Sequence, residues 1–203
     1  MILGCILLKK GRDSDPGLSS LLAVCDEVQP VYDLTDGMWS QSESGLRQQY
    51  IDAAIERNAD VCVTLDTDEY FTSSSRAREI LARIEKAVRL VQFVRIDKWD
   101  DRCRYRWPWD GSLQHVACGW RPANGQRMSD RPIHCGRVPN SSALEGETLN
   151  VPMDACSVIH TGYQLKKDRD ARLKRWKEID PQGRCMCDYD QFFSDKYIEG
   201  YPF

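Results

Sequence analysis

Asp66 and Asp68 stand one residue apart behind the apolar run Val61-Cys62-Val63-Thr64-Leu65, and Glu69 follows them directly. Side chains alternate along a strand, so positions i and i+2 point the same way and the two carboxylates are brought together. Neighbouring carboxylates repel, and each raises the pKa of the other. A divalent cation removes that conflict. Mg²⁺ and Mn²⁺ prefer carboxylate oxygens and commonly bind one or two of them together with substrate phosphates. The spacing therefore suits a cation bridging protein and diphosphate. The plainer reading is an acidic turn that caps the next helix. The apolar strand before the motif and the Glu69-Tyr70-Phe71 run after it narrow the choice toward the metal.

Two other features carry matching chemistry. His160 is one of three histidines and ends a short apolar strand, just before Thr161-Gly162. Imidazole suits Mn²⁺-like ions better than Mg²⁺, although a hydrogen-bonded, half-buried histidine is the bland alternative. The segment from Gln164 to Ile179 reads as a strongly basic helix with Leu173, Trp176 and Ile179 turned inward. Lys166 and Lys167 fall in its first turn, where backbone N–H groups already favour anions. The remaining basic residues read as a solvated face.

These residues need a frame. The chain has 203 residues, 41% hydrophobic and 29% charged, which describes one folded domain. A net charge of −3 argues against a general nucleic-acid binder, so any anion site must be local. Nine cysteines are many. Most lie singly in apolar stretches, as Cys62 does, and buried thiols behave as small hydrophobes. Cys185-Met186-Cys187 is too tight, and too isolated, for a zinc site. Met1–Leu8 is apolar but has no basic lead and is too short for a signal peptide or membrane span. The expectation is a cytoplasmic, reducing setting with no disulfides and no membrane span.

Up to about residue 97 the sequence alternates strand and helix signals. Strands are expected at Ile2–Leu8, Val28–Tyr32, Val61–Leu65 and Val88–Ile96. Helices are expected at Leu18–Val24, Ser44–Asn58 and after the Ser73-Ser74-Ser75 cap, with Ala77, Ile80, Leu81 and Ile84 on one face. That order predicts an α/β fold with a mainly parallel central sheet flanked by helices. Ligands bind such sheets beyond the carboxyl ends of the strands, where Asp33 and Asp66-Thr67-Asp68 fall. From residue 98 the character becomes antiparallel. Arg102–Trp109 and Leu113–Trp120 flank Asp110-Gly111 as a hairpin, Cys156–His160 reads as a short strand, and Asp188–Phe203 as a short helix.

The string Val63-Thr64-Leu65-Asp66-Thr67-Asp68-Glu69-Tyr70-Phe71 resembles the strand-plus-D-x-D-E signature of family 2-like glycosyltransferases with the GT-A fold. Arg47, on the helix before that strand, and His160-Thr161-Gly162-Tyr163, followed by Arg169, Lys174 and Trp176, are similar to further parts of the same pattern. The resemblance implies a single GT-A-like domain over 1–203. Residues 1–97 would bind the nucleotide sugar; residues 98–203 would face the acceptor and complete the metal site. It implies Mn²⁺ or Mg²⁺ held by Asp66, Asp68 and His160. Asp33, Arg47, Asp66, Lys166 and Lys167 would bind a UDP- or GDP-type sugar donor. Lys9-Lys10-Gly11-Arg12 departs from the family, which has an Asn-Glu-like pair after the first strand.

The implied activity is sugar transfer to a hydroxyl of a glycan or similar acceptor. An inverting transferase needs a carboxylate or imidazole to take the acceptor proton. Asp130 and His134 are singled out for this; Asp97, Asp101 and Glu145 are also of suitable type. The aromatics between Trp99 and Trp120 would stack on a sugar or simply pack a sheet. Two alternatives stand beside this reading. One is another metal-dependent phosphate enzyme, a phosphohydrolase or nucleotidyltransferase. Haloacid-type phosphatases place D-x-D after the first strand, and no Gly-rich phosphate loop is present. The other is a catalytically silent carbohydrate-binding scaffold.

Overall fold

The apolar stretch Ile2–Lys9 forms strand β1, and its continuous hydrophobicity has a structural cause. Ile2, Ile6 and Leu8 enter one core cluster, whereas Leu3, Cys5 and Leu7 enter another on the opposite face. A strand covered on both faces has no reason to alternate polar and apolar residues. In this computed structural model the described residues are 1–9, 15–34, 43–98, 104–106, 115–130, 135–140, 144–179, 181 and 198–200.

Helix α1 (Pro16–Val24) begins on a proline, whose missing N–H costs nothing at a helix start. It leads to β2 (Glu27–Asp33), α2 (Glu43–Glu56) and β3 (Val61–Thr64). Then come β4 (Glu69–Phe71), α3 (Ser74–Ala82) and β5 (Val88–Asp97). Ser73 caps α3, its hydroxyl accepting from the Arg76 N–H at 3.3 Å. Beyond lie β6 (Arg104–Arg106), β7 (His115–Trp120), β8 (Glu147–Asn150), β9 (Ser157–His160), α4 (Lys166–Ile179) and β10 (Ile198–Gly200).

Eight strands form one sheet in the order β2-β1-β3-β7-β5-β9-β4, with β8 also paired to β5. Helices α1 and α3 pack on one face through Leu21, Val24, Ala77 and Leu81. Helix α2 covers the other through Tyr50, Ile51 and Ala54. The fold is thus α/β, as expected, but the sheet is mixed rather than mainly parallel. The helix-linked steps β1–α1–β2 and β2–α2–β3 give parallel neighbours, because parallel pairing needs a long crossover. Strand β7 runs antiparallel to both β3 and β5, and β4 runs antiparallel to β9.

Two expectations are corrected. The segment expected to return as a hairpin partner, β7, joins the main sheet instead, with Trp120 buried opposite Cys62 and Leu90. Strand β6 pairs with β10, so Ile198–Gly200 is strand rather than helix. The residues Glu69–Phe71 are a strand in their own right. Trp99, Asp101, Trp107, Trp109, Asp110-Gly111, Cys103, Cys185, Cys187 and the rest of the tail lie outside the described residues. The cysteines described (Cys5, Cys25, Cys62, Cys118, Cys135 and Cys156) are buried free thiols. Among the described residues no helix is long and apolar enough to cross a membrane.

Strand β1 lies between β2 and β3, so the chain leaves it first to one side and then to the other. In α/β sheets such a reversal, here beyond the carboxyl ends of β1 and β3, is where ligands commonly bind. Helix α1 starts there, and Gly17 donates its N–H to the Thr67 carbonyl at 3.1 Å. A methyl group on Gly17 would collide with the Asp66 carbonyl oxygen. Gly17→Ala is expected to lower folding stability by about 1–3 kcal/mol, the usual cost of overpacking, as read from urea denaturation.

Candidate functional site

The chain leaves β3 at Thr64 and turns, with the Glu69 N–H donating back to the Asp66 carbonyl at 3.0 Å. Asp66 and Asp68 therefore sit in a turn rather than on an extended strand end, and they take different partners. Main-chain bonds hold the turn from two sides. Gly17 binds Thr67 from α1, and Thr161 donates its N–H and hydroxyl to the Asp68 carbonyl at 2.8 and 2.9 Å.

Asp66 faces two arginines. Arg47 Nη2 donates to its Oδ1 at 2.8 Å, and Arg137 Nη2 stands 3.3 Å from Oδ2. Arg47 is anchored one helical turn back, its Nε donating to Glu43 at 2.8 Å. Arg137 grips Glu69 at two points, with Nη2 donating to Oε1 at 2.8 Å and Nη1 to Oε2. Glu69 Oε2 also accepts the Asp66 N–H at 3.1 Å. Glu69 is 0% exposed, so this two-point bond is its compensation for lost water. Burial alone would raise the Asp66 carboxyl. Arg137 and then Arg47 outweigh it and hold that carboxyl well below the usual range.

Asp68 belongs to a second cluster. Arg172 of α4 donates to its Oδ2 at 2.5 Å, and His160 Nε2 lies 3.5 Å from the same oxygen. His160 Nδ1 is 2.8 Å from Asp97 Oδ1. Sheet register explains the meeting: Asp97 of β5 and Glu69 of β4 both lie opposite His160 of β9. Burial raises the Asp68 carboxyl, but His160 and Arg172 bring it down to about 2. Burial lowers His160, but Asp68 and Asp97 push it up to about 9.

Gly162 closes this cluster. A Cβ placed there would overlap Asp68 Oδ2 and come within 2.6 Å of Arg172 Nη2 and 2.7 Å of His160 Nε2. Only glycine lets these three side chains meet so close to the main chain. A carboxylate and an imidazole nitrogen bordering one small cradle form a donor set that fits Mn²⁺. Among the described residues no group of three or more His, Cys, Asp or Glu side chains converges, since Asp66 is turned toward Arg47 and Arg137. A cation here would have two protein ligands and take the rest from phosphate and water.

The other sequence candidates are dispersed. Asp33 ends β2 and is 2% exposed. Lys166 and Lys167 are exposed on α4, Lys166 pairing with Asp170 at 2.7 Å. Asp130 is exposed at the end of the segment after β7. His134 lies outside the described residues. Asp97, weighed as an acceptor-side base, is buried against Arg95 and His160. Sequence reasoning missed Arg137, Arg172, Arg95 and Glu43. Of these, only Arg172 carried a hint, one turn beyond Arg169 on the basic helix. No model of a known protein family matches the chain, and no curated protein matches it.

A folded-state pKa above the unfolded value means that the native state holds its proton more tightly. For His160 that stabilisation is complete below pH 6.5 and is lost as pH rises through about 9. Metal-free protein is expected to lose about 3 kcal/mol of stability across this window relative to His160→Gln, measured by denaturant unfolding in chelator.

Proposed function

We propose that the chain is a metal-dependent glycosyltransferase moving a sugar from a nucleoside-diphosphate donor to a hydroxyl acceptor. The observation that carries this reading is the D-x-D turn at the point where strand order reverses, with His160 Nε2 brought to 3.5 Å from Asp68 Oδ2 beside Gly162. Nucleotide ligands favour such reversal points, and the resemblance to family 2-like glycosyltransferases rests on the same residues.

In this reading Asp68 and His160 hold the cation, and Asp66 keeps Arg47 and Arg137 in place behind it. A divalent cation would supply positive charge to the departing diphosphate. Arg172, on α4 beside Asp68, would offer its planar fork to phosphate oxygens. Arg137 and Arg47 stay paired with Glu43, Asp66 and Glu69, so their part is to hold the turn in place. Asp130 and His134 remain the candidates for taking the acceptor proton. Asp97 is not one of them, since Arg95 and His160 occupy it.

The ion pairs favour one competing reading. In a catalytically silent scaffold, Asp66 and Asp68 would serve only to balance Arg47, Arg137 and Arg172. Thermal-shift titration with UDP, GDP and CDP, with and without Mn²⁺, separates the two. A ligand at a hundredfold excess over Kd stabilises the fold by ~2.7 kcal/mol. The transferase reading expects a Mn²⁺-dependent shift with one nucleotide, abolished in Asp68→Ala. No shift with any nucleotide would reject it and leave the scaffold.

A further inference from the structure

We infer that Asp97 is a positioning residue that aims His160 Nε2 into the Gly162 cradle, with Arg95 holding Asp97 in turn. This rests on the metal reading above and adds the residues that make His160 a competent ligand.

The geometry is fixed on every side. Asp97 and His160 are register partners in the parallel pair β5–β9, and the ladder continues with the Lys98 N–H donating to the His160 carbonyl at 2.8 Å. The two side chains meet on one face, Nδ1 lying 2.8 Å from Oδ1. Both are buried, at 4% and 3% exposure, so no water competes for the bond. Arg95 donates from Nη2 to Asp97 Oδ2 at 3.3 Å, and its Nε stands 3.0 Å from Oδ1. Burial alone would raise the Asp97 carboxyl; Arg95 holds it low and ionised. The Tyr163 ring stands edge-on against the imidazole, with centroids 4.5 Å apart, and blocks rotation of the ring.

A neutral histidine has two tautomers, and only the one protonated at Nδ1 leaves a lone pair on Nε2. A carboxylate that accepts from Nδ1–H selects that tautomer and makes Nε2 more basic, as in carboxylate–histidine–metal arrangements generally. Asp97 supplies that acceptor, and the ring has one orientation in which Nε2 faces Asp68. Without it, His160 would divide between tautomers and orientations, few of which present a lone pair to the cradle.

The test is Mn²⁺ affinity of the full chain, read from the free-Mn²⁺ electron paramagnetic resonance signal. Asp97→Ala is expected to weaken binding about 10–100-fold, the usual effect of removing a ligand's outer partner. That change strands Arg95, so the double variant Arg95→Met with Asp97→Ala is measured alongside it; removing both charges leaves no uncompensated one. Asp97→Asn keeps an oxygen for Nδ1–H and is expected to retain most of the affinity. A purely structural role would lower the melting temperature of these variants while leaving Mn²⁺ affinity unchanged, and that result would overturn the inference alone. If the wild-type chain shows no saturable Mn²⁺ binding, the metal reading itself falls and this inference with it.

Discussion

Two aspartates held in a half-buried turn must be neutralised, and the site is arranged around that requirement. The Asp66–Asp68 turn is locked by main-chain bonds to Gly17 and Thr161, so both carboxylates start from a half-buried position. Charges in such a place persist only with partners. The partners come from far along the chain: Arg47 from α2, Arg137 from the segment after β7, and Arg172 from α4. Each then needs holding itself, which is the role of Glu43 for Arg47 and Glu69 for Arg137.

The resulting balance bears on how a cation would enter. Glu43, Asp66, Asp68, Glu69 and Asp97 face Arg47, Arg95, Arg137, Arg172 and a protonated His160, so positive and negative groups match. A divalent ion disturbs that match unless positive charge departs. Arg47 and Arg137 are buried and doubly bonded, whereas the Arg172 side chain is 23% exposed and sits on a helix surface. Arg172 and the His160 proton are therefore the groups that would give way to a cation.

Local pattern made much of the fold legible. Strands β1, β3 and β5 and helices α1 to α3 announce themselves through apolar runs, helical spacing and the Ser73 cap, because those signals lie within a few residues of each other. The D-x-D turn and His160 were legible for the same reason: residue type and strand context sit side by side. What was not legible is long-range. Arg137 meets Glu69 across 68 positions, and Arg172 meets Asp68 across 104, and no local period encodes either pair. The i, i+2 argument for the two aspartates failed because β3 stops at Thr64, before the motif begins. β7 was misread because Val116 to Trp120 reads equally well as half of a hairpin or as the strand between β3 and β5. Only burial of Trp120 against β3 and β5 decides that.

The site depends as much on two missing side chains as on the charged ones present. Gly17 lets the start of α1 touch the carbonyl of Asp66, which fixes the turn from the β1 side. Gly162 lets the chain leaving β9 pass closely over Asp68, Arg172 and His160. The first glycine sets where the carboxylates are, and the second lets their cationic partners close on them. Each is a contact that any Cβ would break: beside Gly17 the nearest atom is a backbone oxygen, and beside Gly162 it is the carboxylate oxygen that Arg172 and His160 share. Close packing at these two points, as well as charge, therefore keeps the carboxylates where their partners reach them.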